Sequence, residues 1–286
     1  MIIPIDGLKP SKQVLEEFGI LDKAELLPGG LSRAFLAGNI VVKYSPEDTE
    51  EEVVWLATML DNIRREDFRV QKFIKSKKGR YLVDGWVAYE FLAGDFRKDI
   101  EHLKLKKEVL RSFHEAIKNE SLPPNYNFER TDPWGVAEDM VWGERPIECH
   151  KRIMKEIEVL VDFLEPLELP RQLIQGDPGH VLFSDEEPPA LIDLSWHYRP
   201  ADFSLVVLAA DALCCWCGDE CNCLNADEVY KIFEDVEHFD QLLLKAVLRR
   251  VLEVEGHLKF DINYLDMLDG LKPAIDFVSN LFSRKT

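Results

Sequence analysis

Two aspartates in the centre of the chain are the residues best suited to chemistry. Asp177 follows the apolar pair Leu173-Ile174, and Asp193 follows Leu191-Ile192. A Gly/Pro loop, a third apolar run at 181–183 and an acidic turn lie between them. A strand–loop–strand–turn–strand arrangement would carry both carboxylates to the same end of a small sheet. One carboxylate could then accept a proton from a hydroxyl while the other holds Mg²⁺ against phosphate oxygens, which is what phosphoryl transfer requires.

The composition and charge limit the classes of partner. A chain of 286 residues that is 46% hydrophobic and 31% charged can bury the core of one large or two modest domains. Its net charge of −18 argues against nucleic acid as a partner, because the phosphates would be repelled. Most of the acidic excess falls after residue 94. A site in that part would attract a neutral or cationic small molecule more readily than an anionic one.

The hydropathy pattern predicts no membrane association. No apolar run approaches the roughly 20 residues that a membrane-spanning helix requires. The first residues lack the basic segment and the longer apolar core of a signal peptide. We therefore expect a cytoplasmic location.

Five of the six cysteines fall within residues 214–223. A disulfide framework is not expected in a cytoplasmic chain. The alternatives are a metal site built from Cys214, Cys217, Cys221 and Cys223, a redox-sensitive patch, or small buried side chains at the end of an apolar helix.

The first third of the chain reads as a β-rich unit with one helix. Strands are expected within 24–44, with turns at Gly29-Gly30 and Gly38-Asn39, and then at 70–74 and 81–89. Apolar residues at helical spacing predict an amphipathic helix over 47–61. The segment Leu92-Ala93-Gly94 is the best candidate for a hinge, so the predicted first domain covers residues 1–93.

The rest of the chain, residues 94–286, reads as helical. Helices are expected at about 99–118, 147–164, 200–216, 226–254 and 261–282. The hairpin 173–196, which carries both aspartates, interrupts them. The predicted fold class is α+β and bilobal, with a small antiparallel β-rich N-terminal lobe and a larger helical C-terminal lobe. A ligand is expected in the cleft between two such lobes.

These segments, in this order, resemble the aminoglycoside phosphotransferase and choline kinase-like branch of the protein-kinase-like fold. Gln175-Gly176-Asp177 matches the catalytic His-Gly-Asp of that family, Ile192-Asp193-Leu194 its metal segment, and Val41-Val42-Lys43 its strand lysine. The segments Asp132-Pro133-Trp134 and Val141-Trp142-Gly143 look like those of an uncharacterised bacterial subgroup. The resemblance extends from about Leu26 to Leu213.

The resemblance implies a nucleotide site. Lys43 would contact the α- and β-phosphates of ATP or GTP, held by an acidic residue of the next helix, for which Glu52 is favoured over Glu51. Gly29, Gly30 and Ser32 would cover the phosphates with backbone N–H groups. Glu90 and Leu92 would belong to the hinge strand whose backbone meets the base.

The resemblance also implies a catalytic and a metal group. Asp177 would be the base that accepts the hydroxyl proton of the acceptor, and Asp193 would chelate Mg²⁺. Two residues depart from the family pattern. Gln175 replaces the histidine before Gly-Asp and can hydrogen-bond but not titrate. His180 stands where the family has a metal-binding Asn, and imidazole is a poor ligand for Mg²⁺. This favours Mn²⁺, a site with one metal, a loop-filling histidine or a loss of catalysis.

Three functional hypotheses follow. The first is an ATP-dependent kinase that phosphorylates a hydroxyl of a small neutral or cationic molecule. The second, motivated by Gln175 and His180, is a catalytically degenerate kinase-like module that binds nucleotide for regulation. The third is a metal or redox protein built on the cysteine cluster.

Overall fold

The computed structural model describes residues 7–28, 32–215, 223–258 and 261–284. The chain divides into two compact units. The first runs to Phe96 and also contains Asn119–Tyr126 and Val181–Asp193. The second contains the remaining segments from Arg97 onward. The predicted α+β class, with a β-rich and mainly antiparallel N-terminal part and a helical C-terminal part, is confirmed.

The predicted segments occur in the predicted order, most of them as shorter elements, and further elements lie between them. The strands are β1 (Glu25–Leu26), β2 (Ala34–Ala37), β3 (Ile40–Tyr44), β4 (Arg69–Val70), β5 (Leu82–Val83), β6 (Trp86–Glu90), β7 (Asp95–Phe96), β8 (Gln172–Gln175), β9 (Val181–Phe183), β10 (Ala190–Leu191) and β11 (Trp196–Arg199). The helices are α1 (Lys12–Glu17), α2 (Glu50–Asn62), α3 (Ile100–Ile117), α4 (Pro133–Val141), α5 (Lys151–Val161), α6 (Ala201–Leu213), α7 (Ala226–Phe233), α8 (Phe239–Leu258) and α9 (Met267–Ser283), the last preceded by a short 3₁₀ helix (Ile262–Asp266).

The first unit is built on an antiparallel sheet of order β1-β2-β3-β6-β5. Its register places Lys43 of β3 opposite Ala34 on one side and Val87 on the other. The single strand predicted over 81–89 is wrong. Asp84 and Gly85 both have left-handed backbones, with φ of 49° and 78°, and turn the chain into a two-residue hairpin between β5 and β6.

The helix α2 begins three residues later than predicted because Thr49 caps it. The Thr49 side chain accepts a hydrogen bond from the backbone N–H of Glu52, and the Glu52 carboxylate accepts one from the backbone N–H of Thr49. The predicted apolar face is buried at Val53, Ala57 and Leu60. This reciprocal cap fixes the first residue of α2, the helix that follows the strand carrying Lys43.

A second sheet, of order β4-β10-β9-β7, brings the segment before Asp193 into the first unit. Strand β10 runs parallel to β4 and antiparallel to β9, while β7 pairs with β9. Gly94 permits this pairing: its φ is 145°, and an added Cβ would lie 3.0 Å from the Phe183 carbonyl oxygen. The predicted boundary after residue 93 did not anticipate that 181–193 would join the first unit.

The single small sheet predicted for 173–193 is wrong. Strand β8, which precedes Asp177, pairs antiparallel with β11 in the second unit. Strand β10, which precedes Asp193, belongs to the sheet of the first unit. Each carboxylate is therefore positioned by a different sheet.

The second unit is organised around α8, which is buried along most of its length and packs against α4, α6 and α9. One helix was predicted over 226–254, but His238, with φ of 57°, separates α7 from α8. Helix α4 was not predicted. It begins with Pro133 in its first turn, and its N-cap Asp132 accepts a hydrogen bond from the Gly135 N–H.

Throughout the part of the chain that the structure describes, every helix is too short or too polar to cross a membrane.

Candidate functional site

The strand lysine and the metal-segment aspartate contact each other within the first unit. Lys43 lies in β3, and Asp193 lies two residues after β10. The Lys43 ammonium forms an ion pair with Asp193 Oδ1, across 150 residues of sequence. Asp193 adopts a left-handed backbone with φ of 51°, a region that aspartate tolerates better than most residues. About 44% of its side chain is exposed, so the carboxylate remains open to a ligand.

The electrostatic surroundings favour a charged lysine. Burial by itself would lower the pKa of Lys43, but the Asp193 carboxylate, together with Tyr89 and Asp48, raises it. Burial raises the pKa of the neighbouring Tyr89 hydroxyl. Burial and the neighbouring Glu47 carboxylate raise the pKa of Asp48, which lies just before α2, to about 6. The positive charge of Lys43 opposes this shift. Asp48 is an acidic neighbour of Lys43 that the sequence pattern did not indicate.

The predicted partner of Lys43, Glu52, is engaged elsewhere. Its carboxylate accepts hydrogen bonds from the backbone N–H and hydroxyl of Thr49 at 2.8 and 2.7 Å. The Glu50 carboxylate accepts the backbone N–H groups of Tyr81 and Leu82, both at 2.9 Å. The structure thus gives Glu52 a capping role and pairs Lys43 with Asp193, because the cap directs Glu52 back onto its own helix end.

The predicted phosphate-covering turn is described only in part. Gly29 and Gly30 lie outside the described residues. Ser32 follows them with φ of 58°, a left-handed backbone that is uncommon for serine. The next residue, Arg33, is buried and bonded to the Glu47 carboxylate at 3.0 Å. A role for Gly29, Gly30 and Ser32 in binding phosphate stays a prediction.

The predicted hinge follows the end of β6. Glu90 is its last residue, pairs in register with Ile40, and donates its N–H to the Lys72 carbonyl at 3.0 Å. Its side chain is exposed, whereas Leu92 is half-buried. The assignment of Glu90 and Leu92 to a nucleotide-binding hinge stays a prediction.

In the second unit, Gln175 ends β8 and is only 1% exposed. Its side-chain oxygen accepts the Ser195 N–H at 2.6 Å, and its own backbone N–H donates to His114 Nε2 at 3.2 Å. Its carbonyl accepts the Ser204 hydroxyl at 2.6 Å. These contacts tie the strand before Asp177 to three other elements. They favour a positioning role for Gln175 over direct contact with a substrate.

His114 of α3 must stay neutral to accept the Gln175 N–H. Its complete burial lowers its pKa to about 3. The folded protein therefore binds fewer protons than the unfolded chain between about pH 6.5 and pH 3, so stability is lost as the pH falls through this window.

We expect this histidine to cost the protein about 2 kcal/mol of unfolding free energy between pH 6.5 and pH 5. The variant His114→Gln, which retains an acceptor oxygen, should lack this component of the pH dependence. Urea denaturation at a series of pH values measures it. His102→Gln on the same helix, where the side chain is 30% exposed, serves as the control. Parallel stability curves for wild type and His114→Gln would contradict the prediction.

Gly176 lies against a buried imidazole. An added Cβ would be 2.0 Å from His197 Cδ2, so only glycine fits here. His197 Nδ1 is 2.6 Å from Glu138 Oε2, and Glu138 also accepts from Arg199 at 2.9 Å. Burial alone would raise the pKa of Glu138, but the contact with His197 and the charges of Arg249 and Arg199 hold it well below its usual range. The buried ionic network of His197, Glu138 and Arg199 thus packs against the loop at Gly176.

Asp177 lies at the accessible side of the same loop, with about 46% of its side chain exposed. His180 Nδ1 is 3.5 Å from Asp177 Oδ2, and Arg250 Nη2 is 3.7 Å from Asp177 Oδ1. The carboxylate is thus oriented by two cationic or polar neighbours while remaining available to a hydroxyl. A role for His180 as a metal ligand stays a prediction.

A role for Asp193 in holding Mg²⁺ stays a prediction. Within residues 7–28, 32–215, 223–258 and 261–284, no group of three or more His, Cys, Asp and Glu side chains is arranged to hold a metal ion. Mg²⁺ is usually bound by one or two carboxylates plus substrate phosphates, not by an all-protein cage. Asp193, an accessible hard oxygen donor beside Lys43, has the chemistry for that role.

The cysteine cluster forms a disulfide, contrary to expectation. Cys215 and Cys223 are bonded, with their Cα atoms 5.4 Å apart, which is an ordinary separation for such a pair. Cys214 is a buried free thiol whose pKa burial raises further. Cys217 and Cys221 lie outside the described residues. The disulfide removes Cys223 from the four-cysteine metal site that was one of the alternatives.

The fold of the chain is that of aminoglycoside phosphotransferases and choline kinases. An amicoumacin kinase solved with AMP-PNP, Ca²⁺ and Ami superposes with a TM-score of 0.62 at 13% identity, over 95% of this chain and 94% of that one. Spectinomycin phosphotransferase with ADP and spectinomycin gives 0.57 at 15% identity, over 93% and 95%. Choline kinase from Streptococcus pneumoniae gives 0.56 at 14% identity, over 93% and 97%. No protein-family model and no curated protein matches the sequence.

Proposed function

We propose that the protein is an ATP-dependent kinase that phosphorylates a hydroxyl group of a small neutral or cationic molecule. The observation that carries the proposal is the ion pair of Lys43 with Asp193, two residues 150 positions apart that belong to the strand lysine and metal segment of one sequence pattern. To bind a nucleoside triphosphate with its metal ion, a kinase needs a lysine for the phosphates and a carboxylate for the ion. Lys43 and Asp193 are two such groups in contact.

Three side chains divide the work in this proposal. Lys43 contacts phosphate oxygens of the nucleotide, and its raised pKa keeps it charged. Asp193 holds Mg²⁺ or Mn²⁺, an ion that neutralises the charge of the transferred phosphoryl group when bound. Asp177 accepts the proton of the acceptor hydroxyl. Gln175 and Gly176 hold Asp177 in place through the hydrogen bonds to Ser195.

The class of acceptor follows from charge and from similar proteins. The acidic excess lies mostly after residue 94, which favours a polyol, an amino alcohol or an aminoglycoside-like cation over an anion. Spectinomycin phosphotransferase and choline kinase, whose fold the chain shares, bear the names of such compounds. The binding experiment described next compares ATP with GTP.

Nucleotide binding is tested by thermal shift with ATP or GTP, each with Mg²⁺ or Mn²⁺. A ligand at 100 times its Kd adds about 2.7 kcal/mol to the unfolding free energy. We expect stabilisation by nucleotide and metal together, and its loss in Lys43→Met. Lys12→Met, a lysine of the same unit with 90% of its side chain exposed, should bind as wild type does. Equal shifts in wild type and Lys43→Met would contradict the assignment of this site.

A second candidate is a nucleotide-binding module without catalysis. Two departures from the family pattern favour it: Gln175 stands in place of the histidine before Gly-Asp, and His180 stands in place of the metal-binding Asn. Nucleotide binding that depends on Lys43, with no phosphoryl transfer to any acceptor tested, would support this function over the first.

A further inference from the structure

Two consecutive arginines of α8 converge on the loop that carries Asp177. Arg249 Nη1 donates to the Gly176 carbonyl at 3.1 Å, and Arg250 Nη2 lies 3.7 Å from Asp177 Oδ1. Both arginines are nearly completely buried, at 2% and 7% exposure. Buried guanidinium groups carry a large desolvation cost, so two of them side by side in a buried helix call for a specific role.

The Arg250 guanidinium is fixed by two carboxylates before it meets Asp177. Its Nε and Nη2 donate to the two oxygens of Asp211 on α6, both at 2.7 Å, and Nη1 is 3.0 Å from Glu253 one helical turn away. A bidentate pair of this kind holds the plane of the guanidinium. Asp211 and Glu253 therefore fix the position from which Arg250 Nη2 approaches Asp177.

Arg249 is anchored in the same way. Its Nε is 2.9 Å from Glu253 Oε1, and its Nη1 is 3.7 Å from Glu138 Oε2. Glu253 thus lies between the two arginines and contacts both. Arg249 holds the backbone of the loop by a hydrogen bond to Gly176, while Arg250 acts on the carboxylate of the next residue through its charge.

We propose that Arg249 and Arg250 form a clamp that positions Asp177, with Arg250 setting the direction of its carboxylate. The role of Asp177 itself rests on the function proposed above. The Nη2–Oδ1 separation exceeds a hydrogen bond, so Arg250 orients Asp177 by charge and leaves its oxygens free for an acceptor hydroxyl. Lysine cannot replace Arg250, because one ammonium cannot span Asp211, Glu253 and Asp177 in a fixed plane.

The test compares Arg250→Lys with Arg111→Lys. Arg111 lies on α3 of the second unit and also pairs with a carboxylate, that of Asp235, at 2.7 Å. Hydrogen–deuterium exchange of the peptide spanning 173–180 reports on the loop whether or not the protein turns over a substrate. We expect exchange there to accelerate at least about 10-fold in Arg250→Lys and to stay unchanged in Arg111→Lys.

In the kinase assay, Arg250→Lys should lower kcat by about 10²-fold, with the nucleotide Kd and the acceptor KM within about twofold of wild type. If Arg250→Lys does not fold, Asp211→Asn, which removes one charge that fixes the guanidinium, should produce smaller changes in the same direction. Unchanged exchange in the loop, or equal acceleration throughout the second unit, would overturn the clamp. Faster exchange confined to the loop in a protein whose wild type transfers no phosphate would support the clamp and reject the proposed function.

Discussion

Replacing Asp177 with asparagine is expected to lower the rate of phosphoryl transfer by about 10³-fold, because the amide has the shape of the carboxylate but cannot accept the hydroxyl proton. Nucleotide affinity should stay within about twofold of wild type, since Lys43 and Asp193 are untouched. Initial rates of ADP formation, measured with Mg²⁺ and a panel of amino alcohols, polyols and aminoglycoside-like compounds, give the comparison.

Asp185→Asn is a suitable control for this experiment. Asp185 is an exposed aspartate in the turn after β9, eight positions along the chain from Asp177. Its substitution removes the same charge and should leave the rate unchanged. If Asp177→Asn transfers phosphate as fast as Asp185→Asn and wild type, then Asp177 is not the base.

Replacing Glu138 with alanine should destabilise the protein by about 3–5 kcal/mol, which is the usual cost of leaving buried charges uncompensated. Glu138 is 3% exposed and accepts from Arg199 while contacting His197 and Arg249. Its loss removes the common acceptor of these groups beneath the Gly176 backbone.

Urea denaturation monitored by tryptophan fluorescence measures the effect. Glu138→Gln, which preserves the shape and one acceptor oxygen, should fall between alanine and wild type. Glu158→Ala, at an exposed position of α5, should change the unfolding free energy by less than about 0.5 kcal/mol. A loss of under 1 kcal/mol in Glu138→Ala would show that the arginines find other partners.

The sequence predicted helices and turns correctly where interactions between residues a few positions apart are enough to form them. The face of α2 follows from apolar spacing, and α3 was predicted within a residue of its ends. In the structure Asp99 caps the start of α3. The errors arose where a short signal was overlooked. Asp84-Gly85 is a hairpin signal inside a run read as one strand, and His238 breaks a run read as one helix.

The sequence indicated candidate site residues more readily than their contacts. Lys43, Asp177 and Asp193 were chosen by residue type, order and resemblance, and their roles stay predictions. Glu52 was assigned to Lys43 because the resemblance implies an acidic partner on the next helix, but its carboxylate accepts hydrogen bonds from Thr49 instead. The buried groups beneath the loop, His114, Glu138 and the arginines of α8, were missed. The adjacent arginines within the apolar residues of α8 were the one available signal, since buried charges require partners.

By itself, the sequence determined where most helices and turns lie to within a few residues and which residues carry chemical groups, because capping, spacing and turn chemistry act over a few residues. Only the tertiary structure decided which of those groups meet. The pairing of Lys43 with Asp193 joins positions 150 residues apart, and that of Asp177 with Arg250 joins the loop after β8 to α8. Such contacts depend on how strands pair and helices cross, and periodicity along the chain carries no information about those distances.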